Sequence, residues 1–355
     1  MASEQQTPIT PNSSSTKKSG VIGIIGRPSA GKSSLVNRIC GAKVSIVSPY
    51  PQTTRTRIRG IYSEDRGQLL FLDTPGYHLS DKKLNQEYQE VVTAALPDCD
   101  ALLYVRDVTR YSGTEEEAIL DIVRKSGLPW IAALNKIDAV NDAGDSAKPP
   151  RVSGRKPKMD SPEVHAAKVA AAKAAAEAAA AAPTPPPAEL GWEDPAEHPP
   201  AAVVAVSAET GAGMKDLLAA LFDVSAAGEP MYPEEYYTDQ DPQFRIAEII
   251  REQAIRRTEQ EVPHAIYVDI ADAEYDAQAE KLNVRAFLVV ERESQKGIVV
   301  GKGGEKIKAI RLASLRQLNQ LFSYRIKLDL RVKVQPKWRQ REATIRRITR
   351  SGFGD

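Results

Sequence analysis

The chain has 355 residues, and its 48 Lys/Arg against 47 Asp/Glu give a net charge of +1 at pH 7. That length exceeds what one ordinary core needs and predicts two domains. The two cysteines, Cys40 and Cys99, form neither a metal-binding spacing nor a disulfide framework, which suits a reducing cytosol, and no apolar run reaches the roughly 18 residues of a membrane-spanning helix.

Apolar runs that predict strands dominate the first part of the chain. Residues 1–19 are polar, lack the apolar segment of a secretory signal and predict a disordered tail. Beyond them, near-continuous apolar runs alternate with helical patterns, which predicts an α/β fold with a doubly wound parallel sheet covered by helices on both faces. The runs are residues 21–26, 68–73, 101–107, 130–136 and 201–207.

Changes in composition divide the chain into further segments. A stretch rich in Ala and Pro, residues 140–200, interrupts the first domain (20–225) and predicts a surface insertion with an alanine-rich helix and little core of its own. A polar linker (226–243) leads to a second, α+β domain (244–338), and a basic tail (339–355) follows.

The small net charge hides an asymmetry along the chain. From residue 281 to the end there are 19 Lys/Arg and 6 Asp/Glu, a balance of +13, so the preceding part carries −12. A basic segment on an otherwise acidic chain predicts a polyanionic partner for the C-terminal part, with a solvated charged face as the alternative.

The stretch GRPSAGKS fits the phosphate-loop pattern G-x-x-x-x-G-K-[ST], follows a predicted strand and opens a helix. Backbone N–H groups of such a loop, together with the helix N-terminus, cradle phosphates. In this arrangement Lys32 reaches the β- and γ-phosphates and the Ser33 hydroxyl binds Mg²⁺. The predicted phosphate-binding residues are Gly26, Arg27, Pro28, Ser29, Ala30, Gly31, Lys32 and Ser33.

Two later motifs predict that the nucleotide carries guanine. NKID ends a strand at the carboxyl edge of the sheet, where Asp138 can accept hydrogen bonds from the N1–H and the exocyclic amine of guanine, a donor pair that adenine lacks. SAE follows the next strand and offers the Ala208 N–H to the guanine oxygen. The predicted guanine-binding residues are Asn135, Lys136, Ile137, Asp138, Ser207, Ala208 and Glu209.

Two segments are predicted to respond to the γ-phosphate. DTPG ends a strand, so Asp73 can hold Mg²⁺ through a water and the Gly76 N–H can contact the phosphate. In PQTTRTRIRG a threonine is expected to close on Mg²⁺; Thr54 is the first choice and Thr53 the second. GTP would order both segments and hydrolysis would release them. The predicted switch residues are Thr53, Thr54, Asp73, Thr74, Pro75, Gly76 and Tyr77, and the predicted Mg²⁺ ligands are Ser33, Thr54 and, through water, Asp73.

A second glycine loop, VVGKGGEKIKAI, does not fit a second nucleotide site. Taken as a phosphate loop from Gly297, its spacer is one residue short, and Gly303 stands where Ser or Thr is needed. It fits the G-x-x-G loop of a KH domain, which clamps about four nucleotides of single-stranded backbone. Lysines beside it would contact phosphates. The predicted RNA-binding residues are Gly301, Lys302, Gly303, Gly304, Lys306 and Lys308.

These motifs, in this order, resemble the Ras-like GTPases, and GRPSAGKSSLVN, PQTTRTRIRGIYSE, LDTPGYH, LNKID and VSAETGAG are similar to the Era family of bacterial GTPases. The resemblance covers residues 20–139 and 201–338. It implies a P-loop G domain followed by a type II KH domain, with GTP and Mg²⁺ as cofactors and GDP and phosphate as products. It further implies binding of the 3′ end of 16S ribosomal RNA, a role in small-subunit (30S) assembly and rRNA processing, and a cytoplasmic location with peripheral association with the inner membrane. A monomer is expected.

Two positions depart from the patterns of related GTPases. Ras-like proteins place a water-orienting glutamine where this chain has Tyr77, so no catalytic side chain is assigned and slow intrinsic turnover is expected. Ser29 replaces an asparagine linked to potassium use in related GTPases, which leaves potassium dependence open. The main alternatives are a GTP-switched ribosome-assembly enzyme and a GTP-regulated binding module with negligible hydrolysis; a relative of tRNA-modifying GTPases fits the KH loop less well.

Overall fold

The computed structural model describes residues 17–78, 83–141, 184–193, 195 and 197–350. Two sheets organise these residues, a larger one in the first part of the chain and a three-stranded one in the second. Across this part of the chain, no helix has both the length and the apolar character needed to traverse a bilayer. The predicted alanine-rich helix and most of the N-terminal tail lie outside the described residues.

The larger sheet has the order β2-β3-β1-β4-β5-β6, with β7 beside the start of β1. Its core strands are parallel, as predicted, but β2 runs antiparallel to β3 and β7 antiparallel to β1. The sequence reasoning missed β2, because RIRGIYSE carries polar residues and follows the predicted threonine segment. The strands are β1 Lys18–Ile25, β2 Ile58–Glu64, β3 Gly67–Asp73, β4 Ala101–Asp107, β5 Trp130–Asn135, β6 Ala202–Val206 and β7 Ala226–Ala227.

Helices cover both faces of this sheet, which explains why its central strands are buried along their whole length. One buried cluster joins the sheet to Leu35 and Leu217, and a second, on the other face, joins it to Val92 and Ile119. Each face therefore removes apolar surface from water, the main driving force for such a fold. The helices are α1 Lys32–Ile39, α2 Lys83–Ala95, α3 Thr114–Ser126, α4 Ile137–Asn141 and α5 Met214–Val224.

The predicted insertion contributes to the core, contrary to expectation. A 3₁₀ helix, Pro187–Leu190, leads to Trp192, and both Leu190 and Trp192 are only 8% exposed. The Trp192 ring lies 6.3 Å from that of Trp130 and 6.2 Å from that of Tyr104. Sequence reasoning missed this role because the surrounding proline-rich composition is typical of a linker, although a lone tryptophan in such a segment is itself a signal of burial.

The second sheet has the order β10-β9-β8, with β9 parallel to β10 and antiparallel to β8. On β10, side chains alternate between exposed and buried, because the helices cover only one face. Apart from a four-residue helix before the first strand, the order is helix–strand–strand–helix–helix–strand, which confirms the predicted α+β fold of type II KH domains. The elements are α6 Pro242–Ile255, α7 Val262–Ala265, β8 Tyr267–Asp276, β9 Lys281–Val290, α8 Glu293–Val300, α9 Glu305–Leu321 and β10 Arg325–Val334.

The predicted basic tail is partly structured. A 3₁₀ helix, Trp338–Gln340, and α10 Glu342–Arg350 follow β10. Trp338 is fully buried and donates from Nε1 to the Ala265 carbonyl, 2.8 Å away. From α10, Arg347 pairs with Asp269 at 3.0 Å. Charge alone does not reveal such packing, because the residues that bury this segment come from distant parts of the chain.

Candidate nucleotide site and RNA clamp

The phosphate loop connects β1 to α1 at the carboxyl edge of the larger sheet. Gly31 has φ of 96°, and a Cβ there would lie 2.2 Å from the Asn135 amide nitrogen, so only glycine fits. Lys32 is 6% exposed and donates from Nζ to the Gly26 and Arg27 carbonyls, each at 3.0 Å. Burial lowers the pKa of Lys32 to about 8, against the opposing pull of the Asp73 carboxylate. The loop thus holds the buried Lys32 ammonium group, whose charged form a bound phosphate would stabilise.

Three oxygens converge beside Lys32. The Ser33 and Thr54 hydroxyls lie 2.8 Å apart, although the residues are 21 positions apart in sequence. Asp73 is fully buried; its Oδ2 accepts a hydrogen bond from Ser45 at 2.7 Å, and its Oδ1 has no hydrogen-bond partner. Burial raises the pKa of Asp73 above its ordinary value. An unpaired buried carboxylate oxygen beside two hydroxyls fits a hard cation with oxygen ligands, such as Mg²⁺.

The two candidate threonines have different surroundings. Thr54 is buried and faces Ser33. Thr53 lies outside this cluster, since its hydroxyl donates to the Tyr50 carbonyl at 2.7 Å and lies 2.6 Å from the Ser48 hydroxyl. The backbone conformation therefore directs the two neighbouring hydroxyls to different places, a distinction that the sequence left open.

The DTPG segment, residues 73–76, packs against the phosphate loop. The Thr74 hydroxyl donates to the Ile24 carbonyl at 2.7 Å, and the Tyr77 N–H donates to the Gly26 carbonyl at 3.2 Å. A Cβ on Gly76 would lie 2.6 Å from Pro28 Cα, so this approach of two backbones requires glycine. Pro75, which lies between Thr74 and Gly76 in the chain, is buried. Motion of one segment must therefore disturb the other.

The predicted guanine-binding residues form a connected edge. Asn135 donates from its amide to the Ala30 carbonyl at 2.9 Å and accepts from the Ala208 N–H at 3.0 Å, joining phosphate loop to the SAE segment. Asp138 accepts a hydrogen bond from the Ser207 hydroxyl. The remaining motif residues, Ile137 and Glu209, lie beside these contacts, with Ile137 buried in the sheet core and the Glu209 carbonyl accepting a hydrogen bond from a neighbouring arginine.

Lys136 is held by a charged partner that the motif did not include. Its Nζ lies 2.6 Å from Asp107 Oδ2 at the end of β4, and its backbone has φ of 71°. Although burial opposes ionisation, hydrogen bonds from Lys136 and Thr109 hold the pKa of Asp107 below its usual range. This pair stabilises the turn that positions Asp138.

Two cavities meet at the phosphate loop. One, of about 290 Å³, is lined by Gly31, Lys32, Ser33, Thr54 and Gly76 among others. A larger cleft, of about 1370 Å³, lies between the two sheets and shares Pro28 and Ser29 with the first. Most of the predicted phosphate residues, together with Ser33 and Thr54, thus line the smaller cavity.

The G-x-x-G loop joins α8 to α9, as predicted. Three of its glycines have positive φ: 73° at Gly301, 58° at Gly303 and 79° at Gly304. Lys302 is exposed, whereas the Lys306 side chain packs against Gly301, where a Cβ would lie 2.8 Å from that of Lys306. A backbone turn without side chains leaves room for a nucleic-acid strand.

Lys308 is exposed on the first turns of α9. None of the loop lysines forms an ion pair with a described residue, so their charges are available to phosphate groups.

The segment before β2 contacts the second sheet's helices. Glu252 of α6 is fully buried and accepts from Lys43 Nζ at 2.6 and 2.8 Å and from the Val47 N–H at 3.2 Å. Arg251 donates to the Thr53 carbonyl. We call residues 43–54 the switch I segment. Its conformation is therefore tied to a helix of the second domain.

Arg55 extends this contact. Its guanidinium donates to the Ile266 carbonyl at 2.7 Å and to the His264 carbonyl at 3.2 Å, and lies 5.6 Å from the Trp338 ring centre. Burial lowers the pKa of Arg55 to about 10.

Sequence motifs missed several positioning residues. Asn37 accepts from the Val44 and Ser45 N–H groups at 2.8 Å each, which holds the start of the switch I segment. Arg38 donates to the Ala208 carbonyl at 2.9 Å. Both lie on α1 directly after the phosphate loop, and an adjacent Asn–Arg pair beside the apolar residues of this short helix was the available signal.

A phosphate loop, a guanine motif and a G-x-x-G loop on this fold define a P-loop GTPase with a C-terminal KH domain. Family models agree: residues 21–136 match the 50S ribosome-binding GTPase family and residues 261–339 the KH domain. The chain is 41% identical to GTPase Era of Treponema denticola, over 93% of this chain and 99% of that protein, and 36% identical to GTPase Era of Borreliella burgdorferi over the same shares. The chain belongs to the Era family of GTPases.

Solved structures of the family are also similar. A crystal structure of Era in complex with MgGDPNP and nucleotides 1506-1542 of 16S ribosomal RNA aligns with a TM-score of 0.74 at 29% identity, covering 93% of this chain and 98% of that one. A variant of Aquifex aeolicus Era bound to GDP and AlF4⁻ aligns with a TM-score of 0.73 at 28% identity and the same coverage.

Proposed function

We propose that this chain binds GTP with Mg²⁺, hydrolyses it slowly, binds the 3′ end of 16S ribosomal RNA through its KH domain and assists small-subunit assembly and rRNA processing. The observation that carries the proposal is that the switch I segment, which supplies Thr54 to the nucleotide site, also binds Glu252 of the RNA-binding part. The related structure that holds both MgGDPNP and 16S rRNA supports the pairing of the two ligands.

The proposed nucleotide contacts follow the site's geometry. Lys32 and the backbone N–H groups of the phosphate loop, of which Pro28 has none, bind the phosphates, and Asp138 binds the guanine edge while Asn135 braces the loop around it. Ser33 and Thr54 hold Mg²⁺ directly and Asp73 does so through water, a set supported by the unpaired Asp73 oxygen. When bound, the ion neutralises charge on the β- and γ-phosphates.

The proposed RNA contacts are those of the glycine loop. The turn at residues 301–304 admits the sugar–phosphate backbone, and Lys302, Lys306 and Lys308 neutralise phosphates. These contacts position a strand without specifying its bases, so sequence preference must come from neighbouring surfaces.

Coupling between the two sites follows from the shared segment. Ordering of switch I around a γ-phosphate would change the backbone that Glu252 and Arg251 hold, because the same short segment carries both sets of contacts. A conformational equilibrium biased by both ligands makes their binding mutually dependent.

Further parts of the proposal rest on family resemblance. We propose a monomer in the cytoplasm with peripheral association with the inner membrane, and domain boundaries at 20–225 and 244–338 with the linker 226–243 between them. Vesicle flotation with bacterial lipids checks the association; protein that stays with the soluble fraction in every nucleotide state would contradict it.

The hydrolysis proposal is tested by phosphate release. We expect slow turnover of GTP alone and faster turnover with purified small ribosomal subunits. Absence of turnover under both conditions would favour the binding-module alternative. A potassium-for-sodium exchange in the same assay decides whether Ser29 permits potassium stimulation.

The RNA proposal is tested by charge reversal. In the double variant Lys302→Asp/Lys306→Asp we expect loss of binding to an oligonucleotide with the 3′-terminal 16S sequence, and unchanged GTP affinity. The matched control, Lys125→Asp/Lys215→Asp, makes the same charge change at exposed helix positions far from the loop in sequence. Equal loss in both variants would mean that net charge, rather than the loop, holds the RNA.

A further inference from the structure

The smaller cavity at the phosphate loop is lined by positive charge. Of the described residues that line it, Lys32, Lys136 and Arg110 carry a positive charge, and none is an Asp or Glu. The sequence motifs predicted Lys32 and Lys136 but not Arg110, which follows the end of β4 in a stretch without a nucleotide-binding pattern. The structure therefore adds a further cation to the cavity where the phosphates of GTP are expected to bind.

A tight turn at the end of β4 brings Arg110 back to the phosphate loop. The Arg110 N–H donates to the Asp107 carbonyl at 3.2 Å, and the Thr109 N–H donates to Asp107 Oδ1 at 3.0 Å, the pattern of an Asx turn. From this turn, Arg110 Nη1 donates to the Pro28 carbonyl of the phosphate loop at 3.3 Å. These contacts place the guanidinium at the wall of the nucleotide cavity, with 46% of the side chain exposed.

The charge of Arg110 is only partly compensated by its neighbours. Its Nε lies 3.3 Å from Asp107 Oδ2, an oxygen that also binds Lys136 Nζ at the shorter distance of 2.6 Å. One carboxylate thus serves two cations, which leaves these three side chains with a net positive charge. A guanidinium has five N–H donors, and the contacts to Asp107 and Pro28 use two of them, so donors remain for a ligand.

Arg110 lies toward the end of the cavity where the γ-phosphate is expected. Gly76, whose N–H is predicted to contact that phosphate, approaches Pro28 so closely that an added Cβ would lie 2.6 Å from Pro28 Cα. The Pro28 carbonyl is the group that accepts from Arg110. Arg27, the arginine within the loop, instead pairs with Glu115 at 2.9 Å and does not line this cavity. Arg110 rather than Arg27 therefore supplies arginine charge to the nucleotide site.

We propose that Arg110 is a catalytic residue whose guanidinium binds the β- and γ-phosphates of GTP and stabilises the negative charge that develops on them during hydrolysis. The inference rests on the proposed GTPase function and names a group for it that no sequence motif marks. Arginine suits this role, because its planar fork of N–H donors matches phosphate oxygens and its charge persists at any working pH. In other GTPases an arginine placed at the phosphates, from the same chain or from a partner, accelerates hydrolysis.

The chemical step leaves Arg110 unchanged. The oxygen of a water attacks the γ-phosphorus while the bond from that phosphorus to the β–γ bridging oxygen breaks, and GDP leaves with the electron pair. The proton of the water passes to the product phosphate or to solvent, since a guanidinium has no acceptor for it. Arg110 contributes by stabilising the charge that the bridging and γ-phosphate oxygens acquire as the bond breaks.

Single-turnover hydrolysis, with the protein in excess over GTP, tests the role of Arg110. We expect Arg110→Ala to lower the rate about 10- to 100-fold, as for the loss of a hydrogen bond to a charged group. Arg316→Ala, which removes the same charge from an exposed position of α9, is the matched control and should hydrolyse GTP at the wild-type rate. An Arg110→Ala rate within about twofold of the wild-type rate would overturn the proposal.

Two further variants separate a phosphate contact from mere support of the loop. Arg110→Lys keeps the positive charge, whereas Arg110→Gln keeps an amide that can donate to the Pro28 carbonyl but carries no charge. We expect Arg110→Lys to hydrolyse GTP faster than Arg110→Gln, because charge at the phosphates is what the reaction requires. A wild-type rate in Arg110→Gln would mean that Arg110 only supports the loop, and would refute the proposal.

The wild-type protein separates this inference from the proposed function. If wild-type protein hydrolyses GTP and Arg110→Ala does so equally well, the assignment of Arg110 fails and the proposed function stands. If wild-type protein does not hydrolyse GTP, with or without small ribosomal subunits, the proposed hydrolysis is refuted and the inference with it.

Discussion

Glu252 anchors the switch I segment to the KH domain, and its loss should loosen that segment selectively. The carboxylate is fully buried and accepts two contacts from Lys43, one from the Val47 N–H and one from Arg256 at 3.0 Å. A hydrogen bond to a charged group contributes about 1.5–3 kcal/mol. Since the Lys43 and Arg256 side chains are 22% and 47% exposed, water replaces part of their interaction. We therefore expect Glu252→Ala to cost about 2 kcal/mol locally.

Amide hydrogen exchange measures this cost. An energy of about 2 kcal/mol corresponds to about 30-fold faster exchange through local opening. We expect that acceleration in peptides covering residues 43–54 and little change in the central strands of the larger sheet. Glu259→Gln, an exposed change just beyond the same helix, is the control. Unchanged exchange in residues 43–54 of a folded Glu252→Ala protein would refute the idea that this contact holds the segment.

Three further outcomes are expected. Asp138→Asn should move nucleotide preference from guanine toward xanthine, measured by competition binding; unchanged preference would mean that Asp138 does not contact the base. Trp192→Ala should lower the free energy of unfolding by about 3 kcal/mol in urea, because it empties a buried site beside Trp130, and a loss below about 0.5 kcal/mol would contradict that packing. Burial raises the pKa of Cys40 and Cys99 to about 12. Their thiolates form only at much higher pH, so at pH 8 iodoacetamide should label the native protein at least about 100-fold more slowly than the unfolded chain; equal rates would disprove the burial effect.

Local motifs predicted most of the nucleotide site because each one specifies its own chemistry. The phosphate loop, NKID and the G-x-x-G loop combine backbone freedom with a fixed spacing of polar groups. Their roles can therefore be predicted without knowledge of the fold. Ion pairs between residues that are distant in sequence have no such local motif. Nothing in the sequence links Arg27 to Glu115, 88 positions away, or Lys43 to Glu252, 209 positions away.

Burial was also harder to predict than chemistry. Trp192 lies in a segment whose composition is typical of a linker, and Trp338 directly precedes the predicted basic tail, yet both are at most 8% exposed. The composition of a segment indicates its average polarity. The burial of a single side chain depends on which other parts of the chain pack against it.

The sequence by itself determined the two folds and predicted the guanine-binding motifs and the G-x-x-G loop, since these depend on local periodicity and on residues close together in the chain. Tertiary structure alone decided that Thr54, rather than Thr53, faces Ser33, that switch I is bound by the KH domain, and that Arg110 lies against the phosphate loop. The physical reason is that hydrogen-bond direction and burial depend on how distant segments pack, and a single sequence does not encode those contacts in any local pattern.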